Sequence, residues 1–142
     1  MNDREFLDAL ESCTLPASEF GHTAHIRAAY LYLRAHGFPE ALARTESTIR
    51  RFASSLGKSD RYHETITVSY LALIRQHLYE RGAGGDWFGF VAANPELFER
   101  DLLLQFYPRS QLESELARRI FVLPRADQTA STAPARAHRL ET

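Results

Sequence analysis

Phe38-Pro39-Glu40-Ala41-Leu42-Ala43-Arg44-Thr45-Glu46-Ser47-Thr48-Ile49-Arg50-Arg51-Phe52-Ala53-Ser54-Ser55-Leu56-Gly57 is the stretch that decides the fold class. Leu42, Ile49, Phe52, Ala53 and Leu56 recur at the spacing that puts side chains on one face of an α-helix. Arg44, Arg50 and Arg51 fall on or near the solvated side. Pro39 suits the first turn, where a missing N–H has no helical partner to lose, and Gly57 suits the position just past the end. The pattern is helical, and no segment of the chain alternates strongly enough for a sheet.

The same periodicity extends in both directions. Phe6, Leu7 and Leu10 predict a short amphipathic helix over 3–13, ended by Pro16, which disfavours helical geometry in the residue before it. Ser18 is the expected N-cap of a second helix, with Glu19 in its first turn, running to His36 and stopping at Gly37. Ser59 or Asp60 is the expected cap of a fourth helix reaching about Arg81, with Ile66, Tyr70, Leu73, Ile74 and His77 as its stripe and His63 at the stripe's head. Residues 82–86 form a glycine-rich turn that lacks the Lys-Ser/Thr of a P-loop, and 87–93 reads as a short apolar helix. Asn94-Pro95-Glu96 then predicts the start of a helix carrying Leu97, Phe98, Leu102, Leu103 and Phe106. Ser110-Gln111-Leu112-Glu113 matches a capping box, and 120–124 reads as an extended segment packed back on the bundle, or as a helix end. The expectation is an all-α bundle of about five to seven helices in one domain, 1–125. In 126–142 only Leu140 is a large apolar residue, which predicts a disordered tail.

Charge and cysteine content remove several function classes. Seventeen basic residues against eighteen acidic ones leave a net charge of −1, so there is no basic field for phosphate backbones and no nucleic-acid partner is expected. No apolar run approaches the roughly 18–20 residues that span a bilayer. The charged start, Met1-Asn2-Asp3-Arg4-Glu5, lacks a signal-peptide core, so a cytoplasmic protein without a membrane partner is expected. Cys13 stands alone, which excludes an internal disulfide and multi-cysteine metal centres. Six histidines carry the remaining chemistry.

His22 and His25 stand three residues apart near a helix start, and His63 holds the corresponding place in the fourth helix. The positive end of a helix dipole favours the neutral ring that metal ligation needs. Three imidazoles from two helices, leaving open coordination positions, are the pattern of a catalytic divalent transition metal; zinc, iron, copper and nickel all accept such ligands. Glu64 is then a fourth ligand, an orienting group or a general base, and Thr67 shares a face with His63 and can hydrogen-bond a bound water or substrate. Arg27 is in reach of an anionic substrate or of Glu64. A di-iron centre lacks its second glutamate pair, and the zincin pattern fails because Thr67 replaces the second histidine. Tyr30, Tyr62, Tyr70 and Arg61 are further candidates for the cavity wall, whereas His36 and His77 are placed to cap helix C-termini.

Phe20-x-His22-x-x-His25-Ile26-Arg27, then Tyr62-His63-Glu64-Thr65-x-Thr67 and a late Phe121-Val122-Leu123-Pro124, resembles a family of small bacterial all-α proteins of uncharacterised function. The resemblance spans about residues 18–125 and implies that the two histidine segments belong together. It implies no particular chemistry. Three readings follow: a metal-dependent hydrolytic or oxidative enzyme acting on a small molecule, a non-catalytic helical binding or accessory protein with structural histidines, and a metal-free His/Glu acid–base isomerase or lyase. The short chain leaves limited room to enclose a pocket, which keeps a homodimer in view.

Overall fold

Helix starts and stops follow local chemistry, and the computed structural model, which describes residues 1–126, shows where each falls. The expected tail lies outside the described residues except for Ala126. Seven α-helices and four short 3-10 turns make up the described residues, with no strand among them. The first helix, α1 (Asp3–Glu11), begins with a full capping box between Asn2 and Glu5. It stops two residues before the expected end because Cys13 turns left-handed at φ 61° and the Thr14 N–H closes on the Ala9 carbonyl at 2.8 Å.

Helix α2 (His22–Ala35) starts later than Ser18. After Pro16 the chain makes only a 3-10 turn, Ala17–Glu19, and Phe20 then leaves helical geometry to pack on Phe52, with ring centroids 4.3 Å apart. Gly21 is the extended N-cap, and it has no side chain to offer. Helix α3 (Phe38–Ser55) matches its expected span, with Pro39 in the first turn and Gly57 left-handed at φ 71° beyond the end. Helix α4 (Glu64–Arg81) is capped by His63 rather than by Ser59 or Asp60, which lie in a 3-10 turn of their own.

Beyond α5 (Trp87–Ala93) the single helix expected after Asn94 is two 3-10 turns, Pro95–Phe98 and Leu102–Gln105. Asn94 is fully buried and its side chain is already engaged, donating to the Phe90 carbonyl and accepting from His77, so none is left to cap a helix. His77 therefore works in the interior and does not cap the end of α4. The capping box at Ser110 is also absent: α6 (Arg109–Leu112) is a single turn, and Ser114 caps α7 (Glu115–Arg119) by accepting from the Ala117 N–H. After α7 the chain runs extended, without secondary structure, back over the bundle. Thr65, Tyr107 and Gln111 hold it by hydrogen bonds to the Ile120, Val122 and Leu123 carbonyls.

Helix α2 is the central element. It packs on both α3 and α4, which also touch each other, while α1 covers α3 and α7 covers α4. One face of α2 gives Ile26, Ala29 and Tyr30 to a core with Leu71, Ile74, Trp87 and Phe90. The other gives Ala24, Ala28 and Tyr32 to a core with Phe6, Leu10 and Phe52. Between its first turn and the two helices beside it the packing leaves open space.

Candidate functional site

The first turn of α2 carries two histidines, each with one ring nitrogen on a backbone carbonyl. A carbonyl oxygen only accepts, so each imidazole nitrogen that meets one must carry its proton. His25 donates from Nδ1 to the Gly21 carbonyl at 2.7 Å, which leaves Nε2 as a bare lone pair. His22 donates from Nε2 to the Leu97 carbonyl at 3.0 Å. Burial holds the His25 pKa below the ordinary histidine value; the Gly21 contact opposes this and the neighbouring His22 adds to it. His25 is therefore neutral near pH 7. Its Nε2 has no protein partner among the described residues and is not fully buried, and His25 lines the cleft between α2, α3 and α4.

His63 is used differently. Its Nε2–H donates to the Leu112 carbonyl at 2.7 Å, and its Nδ1 accepts from the Ile66 N–H at 3.2 Å. Both nitrogens serve the backbone, one tying α4 to α6 and the other capping α4. Burial lowers the pKa of this ring too, with the Leu112 contact opposing and the Arg118 charge adding to the shift. Metal ligation would require His63 to release at least one of these bonds. No group of three or more His, Cys, Asp or Glu among the described residues comes together so as to hold an ion. His22, His25 and His63 thus do not form a preassembled cage in this arrangement.

The other candidates separate in space. Thr67 stays with His25 and donates its hydroxyl to the His63 carbonyl at 2.9 Å. Glu64 joins a polar cluster instead, accepting from the Tyr62 hydroxyl at 2.7 Å and facing Arg50 at 3.5 Å, while the Arg50 guanidinium lies 4.0 Å from the Tyr62 ring centre. Burial opposes ionisation of Glu64, yet hydrogen bonds from Glu46 and Tyr62 and the Arg50 charge carry its carboxyl below the usual range. Burial and that same hydrogen bond push Glu46 up to about 7, so of the two carboxyls Glu46 takes up a proton first as pH falls. Arg27 points away to α1, paired with Asp3 at 2.8 Å and lying over the Phe6 ring. It cannot reach a ligand beside His25 or pair with Glu64. Tyr30 is a fully buried core residue whose hydroxyl donates to the Ala83 carbonyl.

The open space is a cleft of about 260 Å³ between α2, α3 and α4. Ile26, Ala29, Ile49 and Ile66 make its apolar wall, and His25, Thr67 and Tyr70 add polar atoms. Tyr70 is half-buried, packs edge-on against His22 at 5.1 Å, and has no hydrogen-bond partner for its hydroxyl among the described residues. Burial, with a contribution from Asp101, raises its pKa, so it stays a donor. A second cleft of about 320 Å³ adjoins the first, and His25, Ile49, Ile66 and Thr67 line both. Tyr70 and Tyr62 were legible as wall residues. Ile49 and Phe20 were not, because a cleft-lining apolar residue carries the same spacing signal as a core one.

No protein-family model matches the chain, and neither the curated proteins nor the solved structures compared with it yield a match.

Proposed function

We propose that the protein binds a small, mostly apolar molecule carrying one hydrogen-bond donor in the cleft between α2, α3 and α4, where neutral His25 accepts through Nε2. The observation that carries this reading is the Nδ1–H bond to Gly21, which fixes the tautomer and leaves an unpartnered acceptor on a residue that lines a mainly apolar cleft. Ligand pockets commonly have this make-up, an apolar lining with a few placed polar groups. Tyr70 supports a second, catalytic reading: a neutral imidazole and a protonated phenol on one cleft can serve as general base and general acid for a metal-free isomerase or lyase. Ligation of a transition metal by His22, His25 and His63 is the competing proposal, and it requires His63 to give up a backbone bond.

The test uses isoleucine-methyl NMR with 3-phenylpropanol as the probe. Saturable shifts are expected at Ile26, Ile49 and Ile66. Binding should weaken about five-fold in His25→Leu, as expected for one lost hydrogen bond, with His25→Gln as the check if the leucine variant unfolds. Shifts confined to the outer surface, or unchanged affinity in both variants, would overturn the reading. Equimolar zinc moving the signals of all three histidine rings would favour the metal proposal.

A further inference from the structure

The second cleft differs from the first in charge, and this bears on which molecules the site takes. Phe20, Ile49, Ala53 and Leu56 give it an apolar floor. Lys58 and Arg61 are the charged side chains on its wall, and no carboxylate lines it. Neither cation has a carboxylate partner within ion-pair distance among the described residues. Arg61 also lines a wider groove of about 1010 Å³ outside, where the other arginines are engaged. There Arg50 faces Glu64 at 3.5 Å, and Glu115 lies 3.7 Å from Arg118 and 3.3 Å from Arg119. Asp60 lines that outer groove but not the cleft. The free positive charge therefore collects on the exposed part of a cleft whose floor is apolar and which His25 also lines.

We infer that the ligand is an amphipathic anion, with an apolar body between Phe20, Ile49, Ala53 and Leu56 and an anionic head held by Lys58 and Arg61, besides the donor group that meets His25. The inference rests on the small-molecule reading above and adds the ligand's charge. A guanidinium with no carboxylate beside it suits a carboxylate or phosphate head, since charge-assisted hydrogen bonds are about twice as strong as neutral ones. His25 lines both clefts, so a molecule seated here borders the same imidazole.

Three probes separate the outcomes by calorimetry and methyl NMR: 3-phenylpropanoate, 3-phenylpropanol and inorganic phosphate. The carboxylate should bind at least about ten-fold tighter than the alcohol, in line with a hydrogen bond to a charged group. In Lys58→Gln/Arg61→Gln, at two exposed positions, its affinity should fall to or below that of the alcohol, which keeps its donor to His25 and should not change. Equal affinity for carboxylate and alcohol in the wild type would overturn the inference and leave the small-molecule reading standing. A carboxylate preference that survives the double substitution would overturn it too, and so would phosphate alone matching 3-phenylpropanoate, because the apolar body would then contribute nothing. Absence of binding by either phenylpropyl probe would sink both readings.

Discussion

At the residue scale, His63 shows how much of a side chain's role depends on what meets it. Its place at the head of the α4 stripe and its fit to a ligand pattern could be read from the chain. Its two partners could not, because Leu112 lies 49 residues away and the Ile66 N–H meets the ring only if His63 itself is the cap. The bonds predict a graded response to substitution. His63→Ala removes the cap and leaves the Leu112 carbonyl without its donor, and should cost about 1–3 kcal/mol. His63→Asn keeps an acceptor for the Ile66 N–H and should recover about half of that loss. Urea denaturation of both variants checks the order; equal losses would place all the effect in the Leu112 contact. Arg27 carries the same lesson: its spacing from His25 was visible, but Asp3 and the Phe6 ring, which hold it elsewhere, belong to a different helix.

At the element scale, helices with an apolar face and ordinary terminators were legible, and those whose ends depend on tertiary partners were not. Helix α3 ends where Gly57 says it should, whereas the caps expected at Ser18, Asn94 and Ser110 failed because Phe20 turns inward, Asn94 is buried on His77, and Ser114 takes the capping role. Helix α5 shows a further hidden constraint. Gly89 sits inside it, where alanine would ordinarily stabilise a helix by about 1 kcal/mol. A Cβ at Gly89 would lie 1.9 Å from the Gly84 carbonyl oxygen, and one at Gly84, where φ is 73°, would lie 2.6 Å from Gly89 backbone atoms. Backbone meets backbone there, so no side chain can yield. Gly89→Ala is expected to destabilise the protein by about 3 kcal/mol or more despite its better helix propensity. A thermal midpoint equal to or above wild type would show that the turn before α5 can move aside.

At the scale of the whole molecule, the all-α architecture followed from periodicity, but the site exists only because α2 packs on α3 and α4 at once. That packing leaves a cleft at the first turn of α2, where His25 bonds to Gly21 of its own helix start, while the later turns supply Leu97 to His22 and Leu112 to His63. No helix among the described residues is long and apolar enough to cross a membrane. The pairing of the two histidine segments was legible, since His25 and His63 line one cleft, but the bonds that set their chemistry were not. The site depends on His25 being a neutral acceptor with Nε2 free. A pH titration of the histidine ring nitrogens by 15N NMR, with and without 3-phenylpropanol, tests it most directly. Because burial penalises the charged ring, His25 should protonate below the ordinary 6.5, remain the Nδ1–H tautomer at pH 7, and show a shift at Nε2 when the probe binds. A His25 ring that is charged at pH 7, or an Nε2 signal that the bound probe leaves unmoved, would contradict the account.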